Sequence, residues 1–298
     1  MIWLNQILQG VLLGGYYALI ACGLSFLFSV MRIINLAHGS LAVLAAYALF
    51  ALAGGLGVSP FLGVLIVLPA MAVLGWGLQK SVIARSARAG ALMPLLATFG
   101  LAMIVDNILF QAFGADTRSL APFVGSLSYD SFELTEDISL GSLAVATFLT
   151  AVALLGGLQL VLTHTALGRA IRATAEDPDT VGLIGVDAAR VNAVAMAIAM
   201  VTVGIAGAAL AMRATFAPYA GAAQLLFAFE ATVIGGVGSL WGTLIGGVVL
   251  GVAQSLGAQV HPQGFLIAGH AMFLAVVFAR LAAARGGGGL SAILGGAR

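Results

Sequence analysis

Residues 4–28 read LNQILQGVLLGGYYALIACGLSFLF, without one charged side chain. A helix needs about 20 mostly apolar residues to cross the hydrocarbon layer. The stretch therefore reads as a membrane span. No Lys or Arg precedes Arg32, so the charged leading region of a cleaved signal peptide is missing and the span is expected to be retained.

The rest of the chain extends this reading. Of 298 residues, 61% are hydrophobic and 8% charged, against about 25% charged in soluble domains. The mean hydropathy is +1.12. These values exclude a soluble enzyme and a disordered protein. Twelve basic and eleven acidic residues leave a net charge of +1, too little to steer a polyanion, so no nucleic acid is expected as a partner. Forty glycines fit close helix packing in a bilayer. The single cysteine, Cys22, excludes an intrachain disulfide. There is no Asn-x-Ser/Thr site.

Apolar windows predict spans at Leu4–Phe28, Leu36–Ala53, Phe61–Ile83, Leu92–Phe113, Leu143–Leu162, Ala188–Met212, Gln224–Gly236, Leu240–Gln259 and Phe265–Ala283. The seventh is short, and reads as a half-helix or as a tilted span starting near Pro218. The fold class is thus an all-α polytopic membrane protein with eight or nine transmembrane helices. Basic residues cluster beside Arg32, Lys80 to Arg88, Arg169 to Arg190, and Arg280 to Arg298. The positive-inside rule puts these on the cytoplasmic side, leaving only Arg118 and Arg213 outside. Nine crossings then place the N-terminus outside and the C-terminus in the cytoplasm. An eight-span chain would expose the C-terminal arginines, so nine is preferred. That choice requires residues 235–240 to form a cytoplasmic turn.

Residues 1–298 are read as a single transmembrane domain with two distinctive loops. Residues 114–141 form an acidic external loop carrying Asp116, Asp130, Glu133, Glu136 and Asp137. Residues 163–190 form the longest polar stretch on the inner side. A short helix is expected over about Ala166 to Ala175, with Arg169 and Arg172 on one face and Arg172 beside Glu176. Pro178 stops it. Asp179 is expected to cap a second short helix ending at Gly185, and Asp187 the next span. Such an element either offers a firm knob to a soluble partner or rests on lipid headgroups.

Polar groups at membrane depth are candidates for a translocation path. They are Asn35, His38, Asp106, Asn107 and Glu230. Asn35 and His38 lie where two spans break, so they either line a path or satisfy freed backbone groups. Asp106 either bonds a neighbouring helix or faces water. Glu230 has Arg213 as a possible ion-pair partner. Gly242-x-x-x-Gly246 and Gly247-x-x-x-Gly251 favour close helix crossing, either as fixed packing or as a pair that shifts during gating. His164, His261 and His270 are too dispersed for a metal site, and no catalytic grouping is evident. No metal and no cofactor are expected. The only lysine, Lys80, lies outside any Gly-x-x-x-x-Gly-Lys-Ser/Thr spacing, so the chain has no phosphate-binding loop.

Nearly end to end, the sequence resembles the LivH-type integral permeases of ABC importers for branched-chain amino acids. The resemblance is carried by Leu8-Gln9-Gly10, by Tyr17 through Leu24, by Ile33-Ile34-Asn35-Leu36-Ala37-His38-Gly39, by the 168–185 loop, and by Val233 through Gly242. Urea and short-amide permeases share these motifs. The resemblance implies a type II-like importer fold in the bacterial inner membrane. It implies a small polar solute, most often a branched-chain amino acid, delivered by a periplasmic binding protein. Two cytoplasmic ABC ATPases would dock at Gly168, Arg169, Arg172, Glu176, Asp177 and Gly185. A second permease, LivM-type or another copy of this chain, would complete the pore within the lipid bilayer. Gly235, Gly236, Gly242 and Gly246 would be helix-packing glycines. The rival readings are an ATP-independent channel, an ion-coupled transporter and a non-transporting anchor.

Overall fold

In a computed structural model, residues 2–135, 138–178 and 180–287 are described. The chain is almost wholly helical. The helices are α1 (Ile2–Met31), α2 (His38–Leu56), α3 (Pro60–Leu78), α4 (Ala84–Ala89), α5 (Met93–Phe113) and the single turn α6 (Ala121–Val124). There follow α7 (Ser142–His164), α8 (Ala166–Glu176), α9 (Ala188–Arg213), α10 (Gly221–Gly235), α11 (Leu240–Val260) and α12 (Gly264–Gly287). A π turn over Gln79–Ile83 joins α3 to α4.

Several helix starts follow local chemistry. Ser59 accepts the Leu62 amide before Pro60 at the first turn of α3. Asp187 accepts the Arg190 amide at 3.1 Å to open α9, and Ser239 accepts the Gly242 amide at 3.0 Å to open α11. Each side chain satisfies an orphan amide of a helix N-terminus.

Among the described residues, eight helices are long and apolar enough to cross a membrane. The seventh expected span, Gln224–Gly236, is not one of them. Its place is taken by the 15-residue α10, about 22 Å long at 1.5 Å per residue. The stretch before α10 is not α-helical. Phe216 pairs with Arg118 of the 114–141 segment, and a 3-10 turn covers Pro218–Ala220. The other end of α10 lies where α1, α7 and α12 end: Arg280 donates to Ile234 O at 2.9 Å, and Gly238 lies against Ser29. Residues 214–235 thus run from the hairpin side to the α8 side as extended chain plus half-helix. The turn at 236–239 sits on the face that carries residues 163–187.

The 114–141 segment contains α6, a 3-10 turn over Gly125–Ser128, and an antiparallel hairpin of β1 (Ser131–Thr135) and β2 (Ile138–Gly141). Arg118 lies 3.5 Å from Asp116, both partly or largely exposed. Glu136 and Asp137 lie outside the described residues, as do Asp179 and residues 288–298.

Helix α1 is the axis of the bundle and is buried along most of its length. Antiparallel α11 crosses it backbone to backbone. A Cβ on Gly10 or Gly14 would collide with Val252 or Val248, and one on Gly247 or Gly251 with Gly14 or Gly10. The second Gly-x-x-x-Gly pair thus packs on α1. The first packs on α10, with Gly242 against Gly235 and Gly246 against Ala231. Gly247→Ala is expected to force this crossing apart at a cost of about 1–3 kcal/mol. Gly157→Ala, which meets nothing within 4 Å, should be silent. Thermal unfolding of the two variants in detergent checks this, and equal melting temperatures would refute the packing role.

Candidate translocation site

The centre of the membrane layer is built from two helix starts that meet. α1 ends at Met31, and the chain reverses through Arg32, the only non-glycine with positive φ (52°) among the described residues. Residues 32–37 turn back into the protein, so α2 starts at depth rather than at a surface. His38 is fully buried, its Nε2 2.6 Å from Ile20 O of α1. Its ring occupies the slot left by Gly23, where a Cβ would strike it. Asn35 Oδ1 accepts the Ala37 amide at 3.0 Å, and Thr98 Oγ1 of α5 accepts the Leu36 amide at 3.1 Å. Non-helical backbone at membrane depth needs such partners. Asn35 and His38 therefore face backbone and packed helices in this structure.

The first turn of α10 abuts the first turn of α2. Gly39 and Gly221 have no room for a side chain, because each would enter the other segment's backbone. Ser40 stands at this junction, its hydroxyl against the place a Cβ on Gly221 would take, and Asp106 of α5 interacts with it. A carboxyl beside two helix N-termini is favourably placed with respect to both dipoles. Asp106 Oδ1 has no hydrogen-bond partner among the described residues. The adjacent Asn107 is exposed, donates to Met103 O at 2.7 Å, and accepts from the Tyr219 hydroxyl at 3.4 Å. Tyr219 is also exposed. Asn107 and Tyr219 form an exposed polar pair near the α2–α10 junction, with the partly buried Asp106 beside them.

Glu230 lies elsewhere. It is 1% exposed, and its Oε1 is 2.5 Å from Nδ1 of His270 on α12. The pairing with Arg213 considered from sequence does not form. Arg213 instead lies over the Tyr16 ring, 5.1 Å from its centroid. Tyr16 bonds Gln224 of α10, and Tyr17 bonds Gln254 of α11. Glu230 Oε2, Gln254 Nε2 and Arg213 Nη1 are buried without hydrogen-bond partners among the described residues. Sequence reasoning missed Tyr16, Tyr17, Gln224, Gln254, Tyr219 and the partnership of His270. Their only signal was a polar group within an apolar run, the signal that flagged Asp106.

On the opposite face from the hairpin, α8 lies against the ends of α1, α7 and α9. Thr165 caps it, accepting the Gly168 amide at 3.0 Å. A Cβ on Gly168 would enter the Val161 and Leu162 carbonyls, so the α7–α8 elbow is closed by the absence of a side chain. Ile171 and Thr174 are buried, while Arg169, Arg172 and Glu176 are exposed. No Arg172–Glu176 ion pair forms among the described residues. Asp177 Oδ1 accepts the Thr180 amide at 3.1 Å, opening a 3-10 turn over Thr180–Ile184 that ends at Gly185 with φ 80°. Leu183 and Ile184 on that turn are 87% and 74% exposed, an apolar knob on a polar face. A pocket of about 250 Å³ joins α8 to the glycine turn, with Arg172 and Ile171 on one wall and Ser29 and Gly238 on the other. Gly236 and Gly238 in that turn have φ of 97° and 86°, which only glycine adopts without strain. No cluster of three potential metal ligands occurs among the described residues.

Long apolar helices around a polar centre, with a structured elbow on one face, define a multi-pass membrane protein of the transport class. Residues 6–284 match the family described as "Branched-chain amino acid transport system / permease component", and the chain belongs to it. It is a permease component of that family. It is similar to the high-affinity branched-chain amino acid permease LivH of Salmonella typhimurium, with 30% identity over 270 residues and 85% of each chain covered. It is similar to the probable LivH of Methanocaldococcus jannaschii, with 30% identity over 289 residues, 93% of this chain and 90% of that one. BraD of Pseudomonas aeruginosa is 28% identical over 269 residues, 87% of each chain.

The Glu230–His270 contact invites a test by double substitution. His270→Leu should lower stability by about 1–3 kcal/mol, because it leaves a buried carboxyl without its partner. Glu230→Leu combined with His270→Leu should recover most of that loss. Thermal unfolding around the four-corner cycle measures the coupling, and additive effects would show that the contact contributes nothing.

Proposed function

We propose that this chain is the membrane-spanning subunit of an ABC importer that admits branched-chain amino acids across the cytoplasmic membrane. The family match over residues 6–284 carries the proposal. The solute is taken from the named relatives, which are branched-chain amino acid permeases. In this reading a soluble binding protein delivers the solute to the face bearing the hairpin. Two ATPases dock on the face bearing α8. A second permease chain, related or identical, faces the exposed polar pair. The N-terminus lies outside and the C-terminus in the cytoplasm. The basic residues near α4, α8 and the end of α12 support that orientation.

The physical case for the path rests on Asp106, Asn107 and Tyr219. Polar groups at membrane depth are costly against lipid tails, so water or another protein surface is their natural neighbour. Asn35, His38 and Glu230 act in this reading as supports that hold the broken helices.

The coupling case rests on rigidity. Gly168 lets α8 sit directly on the end of α7, and the shared pocket ties α8 to α1 and the glycine turn. Motion of α8 would pass into the α10–α11 hairpin as a shift between two packed arrangements. Gly235, Gly242 and Gly246 allow that hairpin its close contact, while Gly236 serves its turn through a positive φ rather than through packing.

Replacing residues 168–172 by a flexible Gly/Ser stretch should abolish ATP-driven uptake while the chain still reaches the membrane. Gly168→Ala should reduce uptake strongly, and Gly182→Ala, which meets nothing within 4 Å, should not. Uptake of labelled leucine and urea by the reconstituted complex measures both the effect and the solute. Full uptake by the Gly/Ser variant would refute coupling through α8, and urea uptake without leucine uptake would refute the solute. Asn107→Cys and Tyr219→Cys should react with a membrane-impermeant thiol reagent. The native Cys22 is fully buried and contributes little background. No labelling of either would place the path elsewhere.

A further inference from the structure

An apolar crevice of about 290 Å³ opens between α1, α10 and α12. Leu24 and Phe28 form one wall, Phe229 and Val233 the floor, and Val277 the other wall. The lining runs along α10 from Phe229 to Val233, about 6 Å at 1.5 Å per residue, and on to Val237 in the glycine turn. Its one charged lining residue is Arg280. That guanidinium sits at the end of α10, where Nη2 donates to Ile234 O at 2.9 Å. This is its only hydrogen bond among the described residues, out of five N–H donors. Gly236 flanks it with no side chain, and a Cβ there would lie 3.8 Å from the guanidinium nitrogens. Arg32, exposed, lies two residues before the lining residue Ile34 in sequence.

The chemistry of these walls selects the occupant. A zwitterionic solute would have to strip water from its ammonium and carboxylate in a crevice of aliphatic and aromatic side chains, which is costly. A hydrocarbon chain has nothing to lose there. Arg280 stands at the end of the crevice where α10 turns back, on the face carrying residues 163–187. Apolar walls at hydrocarbon depth with a cation at headgroup level complement an anionic phospholipid. Arginine also suits phosphate oxygens through paired N–H donors.

We propose that this crevice is a binding site for an anionic phospholipid of the leaflet on the α8 side, with an acyl chain between α1, α10 and α12 and its phosphate on Arg280. The lipid would wedge against α10, the half-helix that ends beside the glycine turn.

Native mass spectrometry of the purified complex, released from nanodiscs of phosphatidylglycerol and phosphatidylethanolamine in equal amounts, tests this. The expected result is a retained phosphatidylglycerol adduct on this chain, at least fivefold over phosphatidylethanolamine. Arg280→Gln should reduce that adduct several-fold and Arg280→Lys should retain most of it. Val277→Trp, which fills the crevice without touching the charge, should remove it. Equal retention of both lipids by the native chain would overturn the proposal, and that measurement needs no variant. An adduct unchanged by both Arg280→Gln and Val277→Trp would overturn it too. So would a Val277→Cys variant that crosslinks to another protein chain, which would make the crevice a subunit contact.

Discussion

The close crossing of α1 and α11 is the contact on which the remaining helices depend. Inside a bilayer no hydrophobic effect drives helices together, because lipid tails are as apolar as leucine. Association rests on dispersion and close approach, and four glycines provide it: Gly10 and Gly14 on one helix, Gly247 and Gly251 on the other. With α1 held at the axis, α7, α9 and α10 pack around it. Gly75 uses the same device to seat α3 against Met196 and Met200 of α9, and Gly207 seats α9 against Ala42 of α2.

A buried axis has a consequence for the chain that leaves it. The segment after α1 re-enters the protein, so α2 begins within the layer, and α10 begins opposite it. Two helix starts at membrane depth expose unsatisfied amides where water is scarce. Asn35, Thr98 and Ser40 lie at this junction for that reason, and His38 ties α2 to the Ile20 carbonyl of α1. Asp106 adds negative charge near both positive helix ends. The polar centre of the molecule is thus the chemistry that two broken helices require, and its open side is where a path is expected.

Much of this was legible in the sequence. The apolar runs located the eight helices that, among the described residues, are long and apolar enough to cross a membrane, because burial in lipid demands length and apolarity together. Asp187 marked the start of α9, since a cap acts within three residues of itself, while the caps Ser59, Thr165 and Ser239 went unread. The short seventh run signalled a half-helix. The partner of Glu230 was not legible. Arg213 and His270 were both plausible by chemistry, and only the parallel packing of α10 and α12 put His270 beside the carboxyl. The burial of Asn35 and His38 also escaped, because a polar residue beside a break looks the same whether it turns toward a path or toward a backbone.

The sequence by itself determined the class of protein, the positions of the spans and the elbow after α7. These depend on local hydrophobicity, capping and turn residues, each readable over a few neighbouring positions. Only the tertiary structure decided which glycines meet, that α2 and α10 start against each other, and which of the intramembrane polar groups are enclosed and which stay open. Those outcomes depend on contacts between residues far apart in the chain, such as Gly39 with Gly221 and Glu230 with His270. No local pattern encodes which helix will lie beside which.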